Sequence, residues 1–98
     1  MIPSAIIDNV LNNIDGDELI ALTAELVRIN SVWDPMAGTS EQIVAEKVAA
    51  WARSQGFDVQ MDQVTPNRPN IIISGLGGPG KRTLMFEGHT DVVTPGDV

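Results

Sequence analysis

The 98-residue chain predicts an α/β fold in which three helices are followed by three strands. Three observations carry that expectation. Apolar residues recur at helical spacing through the first half, and they alternate or form short unbroken runs through the second. Clusters of Gly, Pro, Asn and Asp punctuate the intervals between them.

The first helix is expected over Ser4–Ile14, where Ile6, Val10 and Ile14 repeat every fourth residue. Asn12, Asn13, Asp15 and Gly16 break it, and a second helix can start at Asp15 or Asp17. Leu19, Leu22, Leu26 and Ile29 then share one face, away from Glu18, Glu25 and Arg28. Asn30-Ser31 ends this helix, and Val32–Gly38, with Pro35, reads as a loop. Thr39-Ser40-Glu41-Gln42 fits a capping box, with the Thr39 hydroxyl and the Gln42 side chain satisfying each other's backbone amides. The third helix follows with Val44, Val48 and Trp51 on its apolar face, and Gly56 is a natural stop.

Beyond Gly56 the period changes. Phe57, Val59 and Met61 alternate with Asp58, Gln60 and Asp62, which describes a strand with one wet face near a sheet edge. Asn70–Ile73 and Thr83–Phe86 are continuous runs, expected of strands covered on both faces. Gly75–Gly80 between them reads as a hairpin connection. Trp51, Phe57 and Phe86 are core candidates, while Trp33 either covers the helix pair or projects toward a site. The final Thr94–Val98 does not read as a domain end, so the sheet is expected to be incomplete and the chain a fragment.

Composition excludes several function classes. Thirteen acids against six bases give a net charge of −7. That opposes nucleic-acid binding, which needs clustered Lys and Arg to neutralise phosphate. The absence of cysteine removes disulfide scaffolds, zinc ribbons and thiol nucleophiles. No stretch approaches the roughly 18–20 apolar residues of a membrane span, and the N-terminus lacks the pattern of a secretory signal. A soluble, cytoplasmic, acidic protein is expected. Asp8, Asp15, Asp17, Glu18 and Glu25 read most simply as a solvated face.

Two segments could carry chemistry. Gly75–Gly80-Lys81 comes close to a phosphate-binding loop, but Arg82 stands where Ser or Thr is needed and a strand follows instead of a helix. Without a helix N-terminus the aligned amides that hold phosphate are missing, so a solvated hairpin is the better reading. Gly88-His89-Thr90-Asp91 is sharper, because it follows an apolar strand, and open α/β sheets place ligands at strand carboxyl ends. Residues i and i+2 of an extended segment point the same way, so His89, the single histidine, can converge with Asp91. A metal-binding imidazole commonly passes its other N–H to a carboxylate, and Asp91 suits that role or that of a ligand. Zinc needs three or four protein ligands, and neither Glu87 nor Asp97 is placed to complete a set.

Met85-Phe86-Glu87-Gly88-His89-Thr90-Asp91-Val92-Val93, followed by Pro95-Gly96-Asp97, resembles the first metal-binding signature of the dinuclear zinc deacylases and peptidases. That family holds acetylornithine deacetylase, succinyl-diaminopimelate desuccinylase, aminoacylase and the glutamate carboxypeptidases. Leu26–Val32, Thr39–Phe57 and Arg68–Ile71 resemble its preceding elements in the same order, with Asn30 where proline is usual and Thr94 as an extra residue before Pro95. The resemblance implies that residues 1–98 are the N-terminal segment of a zinc-exopeptidase-like catalytic domain, without the lid and dimerisation domain. It implies His89 as ligand of one zinc and Asp91 as the carboxylate that orients it. It also implies two Zn2+ per complete site (Co2+ or Mn2+ being alternatives) and an activated water that cleaves the amide bond of an N-acyl amino acid or small peptide. The bridging aspartate, the Glu-Glu pair, a later acidic ligand and a final histidine would lie beyond Val98, leaving this chain inactive alone and its parent a homo-oligomer. The competing reading is a non-catalytic acidic module that binds a protein partner.

Overall fold

In the computed structural model every residue is described except Leu76, Pro79, Lys81, Asp97 and Val98. The elements run α1 Ser4–Asn12, α2 Gly16–Val27, α3 Gln42–Ser54, β1 Asp58–Thr65 and β2 Arg68–Ser74. All three expected helices form. Ile14 lies past the end of α1, and no residue of that helix is buried. Asp15 caps α2, its carboxylate accepting the Glu18 N–H at 3.1 Å, and Asp17 and Glu18 add negative charge where the helix dipole is positive. On the predicted face Leu22, Leu26 and Ile29 are half-buried, whereas Leu19 is exposed.

The start of α3 differs from the expected capping box. Thr39 is taken by the preceding loop, where its N–H and C=O pair with the C=O and N–H of Asp34 at 3.1 and 3.0 Å. Ser40 serves instead, its hydroxyl accepting the Gln42 N–H at 3.2 Å. The Gln42 side chain reaches forward, donating to Glu46 and accepting from Gln63. Backbone pairing of Asp34 and Thr39 outcompetes the local cap because it satisfies two donors and two acceptors at once.

Gly56 ends α3 as predicted, at φ +88°. A Cβ there would meet no heavy atom within 4 Å, so the demand for glycine is conformational and not steric crowding. Gly56→Ala is expected to cost about 1 kcal/mol through left-handed backbone strain. Gly16→Ala, equally free of neighbours but inside α2, is expected to stabilise by roughly 0.5 kcal/mol. Thermal melts of the two variants should therefore shift in opposite directions.

β1 and β2 form an antiparallel hairpin with Val59 opposite Ile73 and Met61 opposite Ile71. An irregularity between Gln63 and Thr65 precedes the turn, where Asn67 adopts φ 65°, a conformation asparagine tolerates better than most residues. Both strands pack on α3. The buried core is small: Val44, Ala45, Ala49 and Ala52 of α3, with the small alanines allowing close approach of the sheet. Trp51 and Phe57, both half-buried, stack with centroids 6.4 Å apart and close the end of this layer. α2 is tied to α3 by a Lys47–Glu25 ion pair at 2.9 Å.

The expected third strand does not form. Among the described residues the sheet has two strands, and the hairpin turn lies at Pro66-Asn67, not in Gly75–Gly80. Leu84, Met85 and Phe86 are 78%, 79% and 87% exposed, so Phe86 is not a core residue here. An apolar run becomes a strand only when a neighbour accepts its backbone hydrogen bonds, and none of the described residues supplies one. The predicted glycine-loop residue Lys81 and the acid Asp97 lie outside the described residues. No helix among the described residues is long and apolar enough to cross a membrane.

Candidate functional site

Among the described residues after Phe86, one backbone bridge joins the segment to the body of the fold. Val92 forms a parallel bridge with Val32, in the loop between α2 and α3. That loop is fixed by its own side chains. Asn30 Oδ1 accepts the Val32 N–H at 3.1 Å, and Asp34 Oδ1 accepts the N–H groups of Met36 and Ala37 at 3.0 and 3.1 Å. These are the local side-chain-to-backbone bonds that Asn and Asp favour in turns.

His89 and Asp91 lie just before the bridge, and the structure brings them together. His89 Nδ1 is 3.0 Å from Asp91 Oδ1 and 3.0 Å from the Asp91 backbone oxygen. Both partners are acceptors, so Nδ1 carries a hydrogen, and Nε2 is the nitrogen left to offer a lone pair. The imidazole faces water: the side chains of His89 and Asp91 are 83% and 53% exposed. A pair this exposed adds little to folding. What it provides is a defined tautomer on an accessible ring. No group of three or more His, Cys, Asp or Glu residues is placed to hold a metal ion among the described residues. The donor chemistry therefore fits one ligand and its orienting partner, not a complete coordination sphere.

A second cluster sits beside the bridge and was not legible as a site in the sequence. Glu41 is only 6% exposed, and its carboxylate receives Arg68 Nε at 3.0 and 3.1 Å together with Arg68 Nη2. The Arg68 guanidinium also lies 4.5 Å from the centre of the Trp33 ring. Trp33, expected either to cover the helix pair or to project toward a site, thus lies against the cation of this cluster. Hydrogen bonding from Arg68 holds the Glu41 carboxyl below its ordinary value, and hydrogen bonding to Glu41 raises the Arg68 guanidinium. The attraction of Asp91 adds to the rise at Arg68, which links this cluster to the His89 segment. The two residues of the ion pair stand 27 positions apart, beyond any local periodicity.

Comparison with known proteins points to one group. Acetylornithine deacetylase of Vibrio cholerae serotype O1 is 35% identical over 71 residues, 72% of this chain and 17% of that protein. Acetylornithine deacetylase of Vibrio vulnificus is 35% identical over 60 residues, covering 61% of this chain and 15% of the relative. Succinyl-diaminopimelate desuccinylase of Methylocella silvestris is 36% identical over 78 residues, 80% of this chain and 19% of the relative. The chain thus spans less than a fifth of the length of these relatives. No family model matches the chain. No solved structure matches it either. By these matches the chain is related to the deacylases that include acetylornithine deacetylase and succinyl-diaminopimelate desuccinylase, the same group that its sequence resembles.

Proposed function

We propose that the chain is the N-terminal part of a zinc-exopeptidase-like catalytic domain, in a metal-dependent hydrolase that cleaves the amide bond of an N-acyl amino acid or small peptide. The observation that carries the reading is the His89 Nδ1–Asp91 Oδ1 contact of 3.0 Å on a solvent-facing ring. His89 would hold one of two Zn2+ ions through Nε2, with Co2+ or Mn2+ as alternatives. Asp91 is the positioning carboxylate: it fixes the tautomer and the orientation of the ring. When bound, the metal supplies Lewis acidity that polarises an amide carbonyl and lowers the pKa of water. Further ligands and the general base are supplied by residues after Val98, in a homo-oligomeric, cytoplasmic parent, and the chain alone is inactive. The curated relatives, named as a deacetylase and a desuccinylase, support the acyl-amide substrate class.

The test is turnover of N-acetyl and N-succinyl amino acids and of dipeptides by the full-length protein, before and after chelation. Hydrolysis that a chelator removes and Zn2+ restores, with none from the 98-residue chain, is expected. Absence of metal-restored hydrolysis of all three substrate types, or turnover by the 98-residue chain alone, would contradict the proposal.

A further inference from the structure

We infer that Arg68 is a positioning residue, whose guanidinium, anchored on Glu41 and laid against Trp33, holds the Val32–Val92 bridge and so the placement of His89 and Asp91. The inference rests on the reading of His89–Asp91 as a site, but its physical content is independent of any metal.

Three observations converge on it. Glu41 caps the start of α3 and is buried, so the carboxylate that grips Arg68 belongs to the helix that carries the buried core. Arg68 is the first residue of β2, and its planar fork makes several hydrogen bonds to that one carboxylate. Its guanidinium therefore has a fixed position, from which it meets the Trp33 ring at 4.5 Å. Trp33 directly follows Val32, the residue that bridges to Val92, and Asp91 directly precedes Val92. In paired extended segments side chains alternate, which puts Ser31 and Trp33 on the same face as Asp91. Ser31 is buried there at 4% exposure.

The bridge is otherwise poorly supported. It is a single pairing, Val92 is 52% exposed, and the chain before it is exposed from Arg82 to His89. A cation laid on the neighbouring tryptophan supplies the missing constraint. Lysine would not replace it, because an ammonium has neither the two-pronged fit to Glu41 nor the flat face for the ring.

The test is the nuclear Overhauser effect between Val32 and Val92, read in the wild-type chain, Arg68→Met and Arg68→Lys. Both variants are expected to lose at least half of its intensity, while contacts between β1 and β2 and the helical signals of α3 stay unchanged. Wild-type intensity in either variant would overturn the inference. So would loss of the bridge only together with the hairpin and helix signals, which would make Arg68 a general folding residue. Trp33→Leu, which leaves the Glu41–Arg68 pair intact, gives a second reading: the same selective loss is expected, and an unchanged bridge would overturn the inference. No metal is present in any of these measurements, so their outcome is separate from the outcome of the hydrolysis test.

Discussion

Replacing His89 with alanine in the full-length protein is expected to remove one equivalent of bound metal and reduce turnover by more than 100-fold. The figure follows from the role proposed for each atom. Changing a partner that merely orients a metal-binding imidazole costs roughly 10–100-fold, and losing the ligand itself costs more. Asp91→Asn is the discriminating companion. It retains an oxygen that can accept the Nδ1 hydrogen now shared with Oδ1 at 3.0 Å, but loses the carboxylate charge beside the ring. Most of the metal should remain, with turnover lowered about 10–100-fold. Metal analysis and steady-state kinetics on the two proteins check both statements. Equal metal content and turnover in His89→Ala would remove the assignment.

Glu41→Gln is expected to destabilise the chain by roughly 1–3 kcal/mol near neutral pH, because it breaks a charge-assisted pair at an almost fully buried position. At about 4–8 °C per kcal/mol for a chain of this size, the melting temperature should fall by at least about 4 °C. The effect has a definite pH dependence. Hydrogen bonding from Arg68 holds the folded-state carboxyl below its ordinary value of 4.5, so folding favours the ionised form. The stabilisation is complete above the unfolded-state value and is lost as pH falls through the lower folded-state value. The difference in melting temperature between wild type and Glu41→Gln should narrow as pH drops below about 4.5. A constant difference from about pH 7 to about pH 3 would show that the charge of Glu41 contributes nothing.

What the sequence revealed, and what it concealed, follows from the range of the forces involved. Asp15 and Gly56 were legible because capping and left-handed termination depend on a few consecutive residues. The alternation of Val59 and Met61 was legible because one face of β1 lies on α3 and the other faces water. Thr83–Phe86 reads as a strand for a sound reason, its unbroken apolar character, yet a strand is a property of a pair, and no partner exists among the described residues. Thr39 failed as a cap because Asp34, five residues earlier, claims its backbone.

The same distinction governs the site. His89 and Asp91 meet because an i, i+2 spacing in extended chain converges them, so two residues of sequence sufficed. Glu41, Arg68 and Trp33 come from the start of α3, the start of β2 and the loop between α2 and α3, and only the assembled fold brings them together. Arg68 had one weak signal, its place in the Arg68-Pro69-Asn70 segment that resembles the deacylase family, and nothing in that signal assigned it a partner.

The central claim is that Nε2 of His89 grips a divalent ion while Nδ1 remains engaged by Asp91. Anomalous diffraction at the zinc edge from crystals of the metal-loaded full-length protein tests it most directly. The account predicts a zinc peak about 2.0–2.1 Å from His89 Nε2, with the Asp91 carboxylate still at hydrogen-bonding distance from Nδ1. Zinc peaks that all lie away from His89, or a peak on Nδ1 with Asp91 displaced, would contradict it.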